Sequence, residues 1–162
     1  MMENKLMKAV VCTKYGSPDV LQLTEIEKPS PRANEVLIKI HATAVSSGDW
    51  KMRKADPFVI RLFFGFTRPK QNILGYVLAG EIELVGSDVK QFKQGDKVFA
   101  TTGMKLGAYA EYKCLAENAV IAIMPNNLRY EEAAAIPFGG NTALYFLNKA
   151  NIKKVRILMI MN

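Results

Sequence analysis

Short apolar stretches separated by turn residues make up most of the chain between residues 7 and 125. Each stretch is rich in Val, Ile, Leu and Thr, and Gly, Pro, Asp or Asn stand between them, which is the pattern of β-strands joined by turns. The stretches that we predict as strands are MKAVVCTK, VLQLTEIE, EVLIKIHATAV, LAGEIELVG, DKVFAT, GAYAEYKCL and AVIAIMP. Many short strands of this kind favour a β-barrel or a β-sandwich.

Two segments break the strand pattern. In SSGDWKMRKADPFVIRLFFGFTRP, Ser46 or Ser47 is a candidate cap for a helical turn or two, and an apolar patch follows from Phe58 to Phe66. This patch is interpreted either as a core or lid segment or as the wall of an apolar substrate pocket. In RYEEAAAIPFGGNTALYFLNKA, the sequence predicts a short helix over residues 129–135, an interruption by Pro and Gly, and a second helix from 141 to about 149.

The chain closes on KKVRILMIMN, whose apolar run is typical of a strand buried on both faces of a parallel sheet. The order of barrel, helix and strand predicts that a second architecture begins here, with domains at 7–128 and 129–162. A lone apolar strand exposes unpaired backbone groups and apolar side chains. We therefore expect either a homo-oligomer built through residues 155–161 or a disordered tail.

Composition narrows the function classes. The 162 residues are 49% apolar, enough for one domain or for one domain and part of a second. No stretch approaches the roughly 20 apolar residues of a membrane span, and no signal peptide is evident, so we expect a cytoplasmic protein. The net charge of +7 indicates either solvated basic faces or a phosphate-bearing cofactor. A nucleic-acid partner is disfavoured because no zinc finger, RNA-binding motif or helix-turn-helix pattern is present.

Few residues offer metal or thiol chemistry. Cys12 and Cys114 lie about a hundred residues apart with no second thiol near either, so we expect small core residues rather than a zinc knuckle or a redox pair. His41, the only histidine, lies on a predicted strand, and we interpret it as structural.

Five segments together resemble the medium-chain dehydrogenase/reductase superfamily, within its zinc-independent, quinone-oxidoreductase-like branch. They are MKAVVCTKYGSPDVLQL, EVLIKIHATAVSSGDWKMR, LGYVLAGEIELVGSDVKQFKQGDKVFA, GAYAEY and EEAAAIPFGGNTAL. The resemblance implies a mainly β fold: a GroES-like, partly open β-barrel with a few short helices and a catalytic cleft. Such a barrel precedes a Rossmann domain that binds NADPH, and only the first helix and strand of that domain are expected here.

The resemblance also bears on the metal. Zinc-dependent relatives place their ligands where this chain has Ser46, Tyr76, Val77 and Phe138, and these side chains do not form a usable zinc ligand set. The resemblance therefore implies a mechanism without a metal. It also implies direct hydride transfer from NADPH to a small hydrophobic carbonyl compound, which is either a quinone or a compound with an activated carbon–carbon double bond.

Carried over position by position, the resemblance places Ser46, Asp49 and Trp50 on the substrate side of the cleft. Ser46 is expected to donate a hydrogen bond to the substrate carbonyl, and Asp49 is either part of the site or a helix cap. Tyr76 is either a proton or hydrogen-bond donor or simply a buried aromatic residue. Asn141 and Thr142 match positions that approach the nicotinamide, with helix capping after Gly140 as the alternative.

No Gly-x-Gly-x-x-Gly turn, which would hold a dinucleotide's phosphates, occurs in the sequence. We therefore expect the chain to be truncated before that turn and to have little or no reductase activity alone. The alternative is a non-catalytic β-barrel binding module. In that case the patch from Phe58 to Phe66 and its basic flanks would hold a ligand, a membrane surface or a protein.

Overall fold

The structure, a computed structural model, describes residues 6–150, so the predictions for residues 155–161 lie outside it. All seven predicted strands are present, which confirms the mainly β fold class. They are β1 (Leu6–Cys12), β2 (Leu21–Glu27), β3 (Glu35–Thr43), β4 (Val77–Val85), β5 (Lys97–Thr101), β6 (Tyr112–Ala116) and β7 (Ile121–Ile123).

The strands form two antiparallel sheets. β1 pairs with β2, and the larger sheet has the order β6-β3-β4-β5-β7. β1 also reaches the segments outside its own sheet, because the N–H of Val10 donates to the carbonyl of Tyr109 at 2.8 Å and that of Cys12 to Asn72 at 2.6 Å. Within residues 6–150 the two sheets do not close into one continuous barrel, so the predicted partly open barrel is confirmed.

The main core lies on the inner face of the larger sheet. β3 is its central element and carries three consecutive buried residues, Val36, Leu37 and Ile38, because it is covered on both faces. Leu78 and Ile82 of β4 pack in the same cluster. β2, at an outer edge, is mostly exposed.

Within residues 6–150, four α-helices accompany the strands: α1 (Ser47–Lys54), α2 (Ile60–Phe64), α3 (Tyr130–Ala135) and α4 (Asn141–Lys149). Ala133 and Ala134 of α3 are buried against Ala79 and Met124, so α3 packs on the barrel that precedes it. No helix within residues 6–150 is long and apolar enough to cross a membrane.

Between α3 and α4 the predicted interruption takes the form of a single π-helical turn, Ile136–Gly140. Pro137 lies inside this continuous helical run, and because it has no N–H, one hydrogen bond of the helical ladder is missing there. The turn leads directly into α4, whose residues are almost all exposed.

Candidate functional site

Asp49 is the buried centre of the candidate site. It lies in the first turn of α1, and only 2% of its surface is exposed. Its Oδ2 accepts hydrogen bonds from the backbone N–H and the hydroxyl of Ser46, both at 2.7 Å. Its Oδ1 accepts a third from the N–H of Gly75 at 3.1 Å. Asp49 therefore caps α1, as one alternative predicted, and also ties α1 to the start of β4.

Gly75 and Tyr76 are held in place from the opposite side by Thr102. The buried Thr102 hydroxyl donates to the Gly75 carbonyl at 2.9 Å, and the Thr102 N–H donates to the Tyr76 carbonyl at 2.8 Å. Gly75 has a φ of +101°, and a Cβ there would lie 2.8 Å from Cδ1 of Tyr109, so only glycine fits. These links fix the backbone from which the Tyr76 side chain projects.

The Tyr76 ring lies beside α1, where a Cβ on Gly48 would come within 3.1 Å of its Cε2. The ring is half-buried, and its hydroxyl makes no hydrogen bond with any residue in the described part of the chain. Burial, and secondly the charge of Asp49, raise the pKa of Tyr76. Tyr76 therefore keeps its proton at neutral pH and can donate it to a hydrogen-bond acceptor.

The Ser46 hydroxyl is placed differently from our expectation. The hydroxyl of Ser46 donates its one hydrogen bond to Asp49. In this arrangement the Ser46 oxygen can accept a hydrogen bond from a ligand but cannot donate one to it. Trp50, which follows Asp49 on α1, is 40% exposed. The ammonium group of Lys51 lies 5.9 Å from the centroid of its ring, and that of Lys54 lies 5.5 Å away. The structure thus brings Ser46, Asp49 and Tyr76 together and leaves Trp50 at the surface beside them.

Tyr109 belongs to the same cluster, and sequence reasoning missed it. Its hydroxyl is buried and has no partner in hydrogen-bonding geometry within residues 6–150. Burial raises the pKa of Tyr109, and the nearby Asp49 carboxylate raises it further. The GAYAEY segment is predicted as part of a strand and is one of the segments that carry the family resemblance, but nothing in its pattern distinguishes this tyrosine from a core residue.

Asn141 and Thr142 lie at the start of α4 and are both exposed. The capping alternative for them is wrong, because Gly140 is already helical and the π turn runs on without a cap. The Thr142 hydroxyl donates to the Phe138 carbonyl at 2.7 Å, so it can accept but not donate toward a ligand. Within the part of the chain that the structure describes, no hydrogen bond joins this pair to Ser46, Asp49 or Tyr76.

An apolar cavity of about 500 Å³ lies beside the cluster, between the β1–β2 sheet and the end of β3. Leu21, Ile40 and Val45 are among its lining residues, and Tyr109 is its only contact with the cluster, since Ser46, Asp49, Trp50 and Tyr76 do not line it. The cavity and the polar cluster are therefore two separate features of the surface.

The donors present do not suit a zinc ion. Ser46 and Tyr76 offer hydroxyls whose protons are retained, and Val77 and Phe138 offer no ligand atom. Within residues 6–150, no group of three His, Cys, Asp or Glu side chains gathers in a metal-binding arrangement. His41 stacks on Tyr130 with ring centroids 4.4 Å apart, a packing contact.

The two thiols are free. Cys12 is buried and Cys114 half-buried, so the expectation of a core position holds fully only for Cys12. Burial raises the pKa of Cys12, and it raises the pKa of Cys114 to about 11. Both therefore remain protonated and unreactive near neutral pH.

Known proteins resemble this chain along nearly its whole length. Quinone oxidoreductase from Sus scrofa is 35% identical over 162 residues, which cover 96% of this chain and 45% of that protein. The chloroplastic NADPH-dependent alkenal/one oxidoreductase from Arabidopsis thaliana is 32% identical over 166 residues, covering 98% of this chain and 41% of that protein. The chain thus spans less than half the length of these relatives.

A solved structure shows the same fold. The quinone oxidoreductase from Coxiella burnetii superposes with a TM-score of 0.82 at 36% identity, covering 93% of this chain and 47% of that one. Residues 32–125, more than half of the chain, match the alcohol dehydrogenase GroES-like domain. These matches confirm the resemblance to the quinone-oxidoreductase-like proteins, and the chain belongs to the alcohol dehydrogenase GroES-like domain family.

Proposed function

We propose that this chain supplies the substrate-binding part of an NADPH-dependent oxidoreductase that reduces quinones or activated carbon–carbon double bonds. One observation carries the proposal: the Tyr76 hydroxyl is protonated, has no hydrogen-bond partner within residues 6–150, and is held on a backbone fixed by Asp49 and Thr102. The relatives named as quinone and alkenal/one oxidoreductases support the substrate class.

The proposed chemistry is stabilisation of a developing oxyanion. NADPH, when bound, supplies the hydride. As a quinone or enone accepts it, negative charge grows on the carbonyl oxygen, and the Tyr76 O–H donates a hydrogen bond to that oxygen. Asp49 is a positioning residue, because both oxygens of its carboxylate already accept hydrogen bonds from Ser46 and Gly75 and do not face the substrate. The Trp50 indole provides an apolar surface at the edge of this site.

Asn141 and Thr142 are the residues proposed to meet the nicotinamide. The accepting oxygen of Thr142 suits the carboxamide N–H₂ of that ring, and Asn141 is exposed beside it with both an acceptor and a donor. NADPH rather than NADH is proposed because one relative is named as NADPH-dependent. A polypeptide of these 162 residues has no Gly-rich phosphate turn, so we expect it to oxidise NADPH negligibly when mixed with a quinone. A cytoplasmic location remains part of this proposal.

Affinity for a carbonyl ligand tests the role of Tyr76. Trp50 is the only tryptophan and adjoins the site, so its fluorescence reports binding of an aliphatic enone. Tyr76→Phe removes one hydrogen bond and is expected to weaken binding by about two- to tenfold. Tyr145→Phe, the same change at an exposed residue of α4, is the matched control and should leave affinity unchanged. Equal affinity of Tyr76→Phe and wild type would remove the basis of the proposal.

A second candidate, a non-catalytic binding module, is favoured by the apolar cavity of about 500 Å³, which has none of the four catalytic candidates in its wall. Val45 lies at its rim and is highly exposed, so Val45→Lys places a charge there without disturbing the core. If the cavity is the ligand site, this variant weakens binding of an apolar ligand while Tyr76→Phe does not.

A further inference from the structure

An apolar ridge projects from the surface on the segment that follows α1. Its members share side chains that are about half exposed or more: Phe58, Val59, Leu62, Phe63 and Phe66. Five large apolar residues within nine positions form a contiguous exposed group, whereas scattered single apolar residues are normal on a protein surface. We call these five residues the apolar ridge.

The apolar ridge is anchored from below. Ile60 and Phe64, one helical turn apart on α2, pack against the buried cluster that contains Met52. The Tyr15 hydroxyl donates to the Gly65 carbonyl at 2.8 Å, which fixes the end of α2. The opposite face of α2, with Leu62 and Phe63, therefore points away from the protein on a rigid support.

The segment that carries the apolar ridge is rich in cations, and four of them, Lys51, Lys54, Arg68 and Lys70, are exposed. Residues 46–70 contain two carboxylates, Asp49 and Asp56, of which Asp49 is buried, against six cations. Within residues 6–150, both ion pairs lie elsewhere, at Lys28–Glu83 and Arg129–Glu132. The six cations without a carboxylate partner are Lys51, Arg53, Lys54, Arg61, Arg68 and Lys70.

The exposed apolar residues and the excess of cations together favour one class of binding partner over the others. A second copy joined through a twofold axis would bring each positively charged patch against itself, which is repulsive. The core of a protein interface is depleted in lysine, whereas three of these six cations are lysines. Apolar side chains rimmed by Lys and Arg match the surface of an anionic bilayer, where the cations meet lipid phosphates and the apolar group enters the acyl boundary. Trp50, whose ring lies near the ammonium groups of Lys51 and Lys54, adds an aromatic residue of the type found at membrane interfaces.

We propose that the apolar ridge and its cations dock this chain onto the surface of anionic lipid bilayers. The five apolar side chains enter the interface, and the exposed cations, Lys51, Lys54, Arg68 and Lys70, bind lipid headgroups. This docking is independent of the reaction proposed above, because it uses neither Tyr76 nor Asp49.

Co-sedimentation of the full 162-residue chain with lipid vesicles tests the proposal. One set of vesicles is phosphatidylcholine alone, and the other also contains phosphatidylserine. We expect binding to the second set that weakens as salt is added, because the headgroup attraction is screened. Leu62→Ser is expected to lower the partition coefficient by about tenfold, since it removes one inserted apolar side chain.

Two control variants are matched by exposure. Leu23→Ser replaces a leucine that is 71% exposed, against 65% for Leu62, and lies on β2 away from the cations, so it should bind vesicles like the wild type. Lys70→Gln should weaken binding to the anionic vesicles by about fivefold. Lys90→Gln, at an exposed lysine beyond β4, should not.

Three results would overturn the proposal. The first is no binding to anionic vesicles at low salt. The second is equal loss for Leu62→Ser and Leu23→Ser. The third is a dimer in sedimentation velocity that Leu62→Ser dissociates while vesicle binding is absent, which would assign the apolar ridge to a second copy of the chain.

Discussion

Replacing Asp49 with asparagine isolates the buried carboxylate at the centre of the site. The two side chains have the same shape, but asparagine has one acceptor oxygen where Asp49 uses two. If that oxygen faces Ser46, the amide N–H₂ faces the buried N–H of Gly75, and this donor loses its partner. If the amide is turned over, both donors of Ser46 lose theirs.

The expected loss of stability can be estimated from these contacts. Leaving one buried donor unsatisfied costs about 1–3 kcal/mol. Removing the negative charge from the first turn of α1 costs a further 0.3–1 kcal/mol or so, because that charge interacts with the helix dipole. The sum, about 1.3–4 kcal/mol, is a large fraction of the 5–15 kcal/mol typical of a domain.

Urea unfolding at pH 7 measures this loss, followed by far-ultraviolet circular dichroism and by the fluorescence of Trp50. Glu132→Gln is the matched control, because Glu132 occupies the same third position of α3 and accepts the Arg129 N–H at 2.9 Å, but is exposed. In Glu132→Gln, the exposed N–H of Arg129 can donate to water instead, so we expect a smaller loss of stability than for Asp49→Asn. Equal stability of Asp49→Asn and Glu132→Gln would refute the view that Asp49 holds α1 and β4 together.

Two further predictions concern the residues around Asp49. Gly75→Ala should destabilise the protein by about 2–4 kcal/mol through backbone strain and overlap with Tyr109. The control, Gly95→Ala, changes a glycine with a φ of +86° and open space around it, so it should cost about 1–2 kcal/mol from the backbone alone. Thermal unfolding measures the stability of both variants. The raised pKa of Tyr109 means that the unfolded chain loses this proton first as pH rises through about 10, so stability falls at alkaline pH. Tyr109→Phe should make that decline shallower without destabilising the protein at pH 7, because within residues 6–150 the buried hydroxyl has no hydrogen-bond partner to lose. A clear loss of stability at pH 7 would show that the hydroxyl is bonded to Asp49.

The strands were predictable because each carries its own signal. Val, Ile and Leu at short intervals, with Gly and Pro turns between, mark β3 and β4 whatever the rest of the chain does. The start of α1 was also visible locally, since Ser46 and Asp49 stand at capping-box spacing. The path of the backbone around Pro137 was less visible, because proline and two glycines indicate a break where the chain forms a continuous π turn.

The site was predictable only in part, because its contacts are long-range. Nothing near Thr102 in the sequence indicates that its hydroxyl holds Gly75, 27 residues away. The orientation of the Ser46 proton depends on Asp49 being buried, which sequence spacing does not reveal. The sequence allows the apolar patch to be either a core or lid segment or a pocket wall, and the structure divides it: Ile60 and Phe64 face the core, and the apolar ridge faces outward.

The most direct test of the account is a ¹⁵N–¹H NMR titration of the 162-residue chain with a cyclic enone. If Tyr76 donates to the carbonyl oxygen, the amide signals of Gly75 and Tyr76 and the indole signal of Trp50 shift saturably, and Tyr76→Phe reduces those shifts. Shifts confined to the cavity residues Ala9, Ala42 and others of its wall, with Gly75 and Tyr76 unmoved, would contradict the account and point to a binding module instead.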